Sequence, residues 1–248
     1  MTASTAATTE LPDAARPAAG TERSPSDRLG LLSAALLALI VAVWALKLWR
    51  ADLAVPFRYS SDDDTMFYLS LIKGIIDHGW LFTNHSLGAP FGQQLYDYPQ
   101  SADNLNLLVI RVLATVWQSP AVINVFLLLT FPLDAGVGYV VLRRLGVSPI
   151  SSVLCAVLFA LLPYHFFRSD SHLFLSAYYA LPLVVYLFVG VLAGRPLFAR
   201  RAPPARRALS WASARTGWTL LLCVVVASTG LYYAVFGLVL VAAATMIA

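Results

Sequence analysis

Three adjacent aspartates, Asp62, Asp63 and Asp64, stand in the stretch Tyr59-Ser-Ser-Asp-Asp-Asp-Thr-Met-Phe-Tyr68, just after the first long apolar run of the chain. Neighbouring like charges repel, and the repulsion falls when a cation or a cationic ligand binds among them. Hard carboxylate oxygens suit Mg²⁺ or Mn²⁺, with Asp62 and Asp64 as the candidate metal ligands. An unpaired carboxylate also serves as a general base that takes the proton of an attacking hydroxyl. All three are therefore candidate catalytic residues. A plainer reading competes with this one. Ser61 is a good N-cap, Asp64 completes an acidic capping box, and carboxylates suit the positive end of a helix dipole. Capping accounts for one or two of the aspartates and leaves the rest unexplained.

A second constellation is Pro163-Tyr-His-Phe-Phe-Arg-Ser-Asp-Ser-His172. If a helix runs through it, His165, Arg168 and His172 share one face at spacings of three and four. A forked guanidinium flanked by imidazoles suits a phosphate group, which makes the trio a candidate phosphate-binding set. The competing account has Arg168 snorkelling to lipid headgroups and Asp170 or Ser171 capping the next helix. Tyr96, Asp97 and Tyr98, with His85 in the same loop, are residue types that stack on and hydrogen-bond a sugar. Aromatic side chains at a membrane interface are equally routine anchors. Asp134 lies inside an apolar run beside Pro132, where an ionisable group is costly and often functional. Pairing with a hydroxyl on a neighbouring helix is the simpler explanation for it.

The elements that must position these residues are membrane elements. The 248 residues are 59% apolar and 12% charged, with a mean hydropathy of +0.72. Soluble domains carry about 25% charged residues, so about half the usual solubilising charge is missing. The fold class that follows is an all-α polytopic membrane protein. About 20 apolar residues cross a bilayer, and the apolar runs give spans at about 29–49, 121–142, 149–167, 173–192 and 218–248. The last run is divided by Gly230, so the total is about five to six transmembrane helices. Residues 1–27, rich in Ala, Thr, Pro and Ser, read as a disordered tail, and 28–248 as one membrane domain.

Between the first two spans lies a large loop, 50–120, expected to carry membrane-parallel helices. Within it, Asp63, Ser70, Lys73 and Asp77 fall on one helical face, while Leu69, Ile72, Ile76 and Tyr68, Leu71, Ile75 fill the other. Cys155 and Cys223 sit in apolar runs and read as small buried hydrophobes. The net charge of +4 comes from arginines beside the spans, which argues against a nucleic-acid partner. With the N-terminus cytoplasmic, eleven arginines fall inside, six of them in the loop 194–215, against six basic residues outside. That orientation places the aspartates and His78, His85, His165 and His172 on one external face. The chain stops at Ala248 within an apolar run, which predicts a longer natural protein.

The arrangement resembles the GT-C glycosyltransferases, membrane enzymes that use lipid-phosphate-linked sugars. The likeness rests on a first span, a large external loop opening with Ser61-Asp-Asp-Asp64, and a membrane-parallel helix after it. Tyr164-His-Phe-Phe-Arg168 and Ser228-Thr-Gly-Leu-Tyr-Tyr233 are similar to stretches in bacterial members of that group. The resemblance spans most of residues 29–240. It implies a polyprenyl-phosphate sugar donor, a glycan or lipid acceptor of the cell envelope, and residence in a bacterial inner membrane among its lipids. Asp62, Asp63 or Asp64 would then activate the acceptor or hold a divalent metal, in an inverting transfer. His165, Arg168 and His172 would offset charge on the departing phosphate. A transporter or lipid-sugar flippase, and a noncatalytic subunit of an envelope-assembly complex, are the alternatives.

Overall fold

A computed structural model describes residues 25–57, 64–199 and 213–248. Most of the expected tail, most of the basic loop, and both Asp62 and Asp63 lie outside the described residues. Among the described residues the regular structure is helical apart from one short hairpin. The helices are α1 (Pro25–Ala45), α2 (Thr65–His78), α3 (Asn104–Leu113), α4 (Ser119–Arg144), α5 (Pro149–Ala160), α6 (Pro163–Arg168), α7 (Leu173–Ser176), α8 (Ala180–Leu192), α9 (Ala214–Ser228) and α10 (Leu231–Ile247). Between α2 and α3, β1 (Thr83–Asn84) pairs antiparallel with β2 (Gln93–Gln94). Among the described residues, three helical segments are long and apolar enough to cross a membrane: α1, α4, and the stretch Pro149–Ser176 that contains α5, α6 and α7.

α1, α4 and α5 form the tightest part of the bundle. α1 presents Ala34, Ala38 and Ala42, all fully buried, at a spacing that keeps one small-residue stripe facing its neighbours. Ala135 of α4 and Ala156 and Ala160 of α5 meet it, and small side chains let helix backbones approach closely without a hydrophobic gain from lipid. The pair Asp27–Arg143, at 2.8 Å, ties the start of α1 to the end of α4. α1 starts at Pro25, inside the stretch expected to be tail, because proline at the first helical turn costs no hydrogen bond.

The long loop is a folded layer. α2 buries Tyr68, Leu71, Ile72 and Ile75 against Val122, Phe126 and Phe174, and exposes Lys73 paired with Asp77. Its amphipathic pattern is the reason it docks on one side. Asn124 of α4, fully buried, accepts from Phe57 N and donates to the carbonyls of Leu53 and Val55. One amide side chain thus fixes the segment that leads to the aspartates. At the start of α4, Ser119 donates to the Leu69 carbonyl of α2 at 3.1 Å.

The final apolar stretch is two helices. Gly230 (φ 142°) separates α9 from α10, a backbone conformation that favours glycine. The bundle therefore has two unlike ends. One carries α2, the starts of α3, α4 and α10, and the end of α9; the other carries Asp27, Arg143 and Arg144, the end of α8 and the start of α9.

Candidate functional site

At the first end a cleft of about 190 Å³ is lined by Asp64, Tyr68, Gln100, Asp103, His172 and the Gly230–Tyr233 segment, among others. It is built from helix starts. Asp64 is the N-cap of α2, Asp103 of α3 and Gly230 of α10. Neither aspartate side chain accepts a capping hydrogen bond from a backbone N–H of its own helix. Both residues line the cleft, and the helix dipoles behind them favour negative charge there.

Asp64 is the exposed member. Its Oδ2 lies 4.0 Å from His172 Nε2, with side-chain exposures of 61% and 37%. That separation is too long for a direct hydrogen bond and short enough for attraction once the imidazole is protonated. Asp103 is the buried member. Burial pushes its carboxyl up to about 7, and a hydrogen bond with Asn106 offsets the shift only in part. Asn106 is itself fully bonded into the frame: it accepts from the Tyr179 hydroxyl at 2.8 Å and donates to the Thr229 carbonyl at 3.2 Å. A Cβ at position 230 would stand 3.0 Å from Asp103 Oδ1, so glycine is required there twice over, by space and by φ.

Tyr68 stands between the two carboxylates, against the Gln100 side chain and the Phe174 backbone. Burial raises its phenol, which stays a protonated donor. Gln100 Oε1 is buried without a hydrogen-bond partner among the described residues. Tyr233 closes the far side by donating to the Leu175 carbonyl at 2.6 Å. The cleft thus offers a solvent-accessible carboxylate, a second carboxyl that changes charge near neutrality, a histidine, and amide and phenol groups. That set suits a hydroxyl-rich ligand.

Of the residues singled out from sequence, the cleft gathers Asp64 and His172. His165 is placed elsewhere and corrects the expected outward face. It is fully buried, stacked on Phe131 at 3.7 Å between ring centres, and its Nδ1 donates to the Ala160 carbonyl at 3.0 Å. Its Nε2 lies 2.8 Å from Thr130 Oγ1. The reason is that the helix does not run on: α6 ends at Arg168, and Ser169 takes a left-handed conformation (φ 42°) that turns the chain. Arg168 does not line the cleft and rests over the Tyr164 ring at 5.2 Å.

His85, Tyr96, Asp97 and Tyr98 also do not line the cleft. His85 is exposed beside Gly92 in the hairpin, Asp97 is exposed, Tyr96 stacks on Phe82 at 5.1 Å, and Tyr98 leans on Phe67 at 5.4 Å. Asp103 and Gln100 are the cleft residues that pattern reading passed over. The one signal for Asp103 was an acidic residue directly before an apolar helix. No three His, Cys, Asp or Glu side chains form a metal cage among the described residues; Asp62 lies outside them.

Asp134 does not make the expected pairing with a hydroxyl: neither of its carboxyl oxygens has a hydrogen-bond partner among the described residues. It is fully buried in α4, with Oδ2 3.4 Å from His165 Nδ1. Pro132 cannot donate to the preceding turn, and the polar groups Thr130, Asp134 and His165 gather around that interruption. No protein-family model matches the chain, and neither the curated proteins nor the solved structures include a significant match.

Proposed function

We propose that the chain is a GT-C-type glycosyltransferase that moves a sugar from a polyprenyl-phosphate donor to a glycan or lipid acceptor of the cell envelope. The supporting observation is Asp64: an exposed carboxylate, free of capping duty, facing His172 at the mouth of a polar cleft. In this reading the acceptor hydroxyl gives its proton to Asp64 as its oxygen bonds to the anomeric carbon. The bond from that carbon to the phosphate oxygen breaks, and the electron pair leaves with the lipid phosphate. His172, protonated, offsets the charge that develops there. Attack opposite the leaving group inverts the anomeric centre. Asp64, an exposed hard-oxygen donor, fits a divalent ion such as Mg²⁺ or Mn²⁺ shared with Asp62, which would add positive charge beside the phosphate.

The same proposal places the chain in a bacterial inner membrane. α1, α4, the α5–α7 stretch, α8 and the α9–α10 pair make up about five or six crossings. The arginine-bearing end is cytoplasmic and the cleft external. The test is sugar transfer by the full-length protein in membranes: Asp64→Asn lowers transfer by about 10²-fold or more, and retention of wild-type transfer by that variant sinks the reading.

One observation favours a second reading, a transporter or lipid-sugar flippase. Asp134 and His165 form a buried ionisable pair within helices that are long and apolar enough to cross a bilayer, the kind of group that marks ion pathways. Asp134→Asn separates the two. It stops transport under this reading and leaves sugar transfer by the folded protein intact under the first.

A further inference from the structure

The end of the bundle opposite the cleft carries a second site. The chain leaving α8 makes a Schellman turn: Gly194 N donates to the Val191 carbonyl and Arg195 N to the Gly190 carbonyl, both at 2.9 Å, with Gly194 left-handed (φ 67°). That turn fixes where Arg195 emerges. The residues after it are then strapped to α9. Thr219 Oγ1 donates to the Leu197 carbonyl at 2.6 Å, and Ala199 N donates to Thr216 Oγ1 at 3.2 Å. Ser213 caps α9 by accepting from Thr216 N at 3.1 Å, which sets Arg215 in its first turn.

Between these two anchored arginines lies a cavity of about 380 Å³, also lined by Tyr186, Trp218 and Thr219. Arg144 from α4 stacks over the Trp218 ring at 4.5 Å and adds a third cation at its edge. Neither Arg195 nor Arg215 has an ion-pair partner among the described residues. A cavity of about 350 Å³ continues from it between α8, α9 and α10, and Leu187 and Leu197 line both. The walls of this second part, including Val184, Val226, Val235 and Leu238, are almost wholly apolar. Gly237 lets α10 close on Val184 of α8 at the bottom of the groove, where a Cβ would meet Val184 at 2.9 Å.

From these features we propose that this is a binding site for one anionic phospholipid of the adjoining leaflet. Its phosphate is held between Arg195 and Arg215, and one acyl chain lies in the α8–α9–α10 groove. Charge complementarity selects the occupant. Guanidinium forks match phosphate oxygens, a zwitterionic headgroup cancels the attraction with its own ammonium, and a soluble phosphate leaves the apolar groove empty. The site is separate from the cleft: α8 and α9, with 13 and 15 residues, each put about 20 Å between the two at 1.5 Å per residue. It stands whether or not the chain transfers sugar.

Native mass spectrometry of the full-length protein, released from vesicles of equal phosphatidylglycerol and phosphatidylcholine, tests the assignment. Wild type retains one phosphatidylglycerol, favoured over phosphatidylcholine by about tenfold or more, and millimolar inorganic phosphate does not displace it. Arg195→Gln/Arg215→Gln loses that preference. A second arm uses Ala234→Phe, which projects a ring into the groove and lowers retention with both arginines present. Equal retention of the two lipids by wild type overturns the proposal without recourse to any variant. Displacement by inorganic phosphate, or exchange for added polyprenyl phosphate at equal concentration, overturns it as well.

Discussion

At the scale of single residues, the two aspartates of the cleft are distinguished by exposure. Asp64 reaches solvent and Asp103 does not, so the first has the access a base needs and the second has a displaced titration. If Asp64 takes the acceptor proton, Asp64→Asn lowers kcat by about 10²–10⁴-fold, with thermal unfolding unchanged. His172→Gln gives a smaller loss, most marked with donors whose phosphate leaves poorly. For Asp103 the sign follows from burial. Its folded carboxyl titrates at about 7 and an ordinary one at 3.8, so between those values the folded chain holds a proton that the unfolded chain has released. Its stabilising contribution is complete below pH 4 and is lost as pH rises through 7, by up to about 4 kcal/mol. Asp103→Asn carries no such titration. In detergent, melting temperatures recorded from pH 5 to pH 8 therefore move in favour of the variant as pH rises. A gap that stays constant with pH overturns the assignment.

At the scale of elements, the cleft depends on how helices start and stop. Gly230 joins α9 to α10 with a backbone angle that penalises a side chain, and its missing Cβ makes room for Asp103. Gly230→Ala strains the joint by about 1–3 kcal/mol and presses on Asp103. The expected result is a lower melting temperature and a shifted Asp103 titration, whereas an alanine change in the middle of α10 alters neither. Asn124 acts at a greater distance. It saturates its amide on Leu53, Val55 and Phe57, so Asn124→Leu leaves backbone groups unpaired. Faster hydrogen exchange at Phe57, with the α4 core still protected, is the signature of a released lead-in to the aspartates.

At the scale of the whole molecule, the bundle carries a buried polar cluster at its centre and unlike chemistry at its ends. Asp134 is buried with neither carboxyl oxygen hydrogen-bonded among the described residues, and replacing an unpaired buried polar group with an apolar one of similar shape is neutral or stabilising. Asp134→Leu therefore does not lower the melting temperature. His165→Phe keeps the stack on Phe131 and loses the bonds to Ala160 and Thr130, so it does lower it. A sharp loss of thermal stability in Asp134→Leu overturns this account of the carboxyl. The ends differ in a way a membrane distinguishes. Carboxylates and polar hydrogen-bonding groups gather at one, and Arg143, Arg144, Arg195 and Arg215 at the other.

Much of this organisation was legible in the chain because hydrophobic periodicity and length are local properties. The long apolar runs became α1 and α4 with boundaries shifted by a few residues, and the amphipathic stretch after the aspartates became α2, with Tyr68, Leu71, Ile72 and Ile75 buried and Leu69 and Ile76 half-buried at the edge of that face. Gly230 advertised a break, and the structure made it two helices. What could not be read was which polar residues meet. His165, Arg168 and His172 looked like one face only while the helix was assumed to continue; the turn at left-handed Ser169 parts His172 from His165, which packs inward on Phe131 and Ala160. Asp103 and Gln100 joined Asp64 because α3 packs beneath the α9–α10 joint, a contact across more than a hundred residues. Helix formation is decided within a few turns of chain, whereas a binding site is decided by where several helices begin. Only tertiary packing, through Asn106, Tyr179 and Gly230, brings those beginnings to one place.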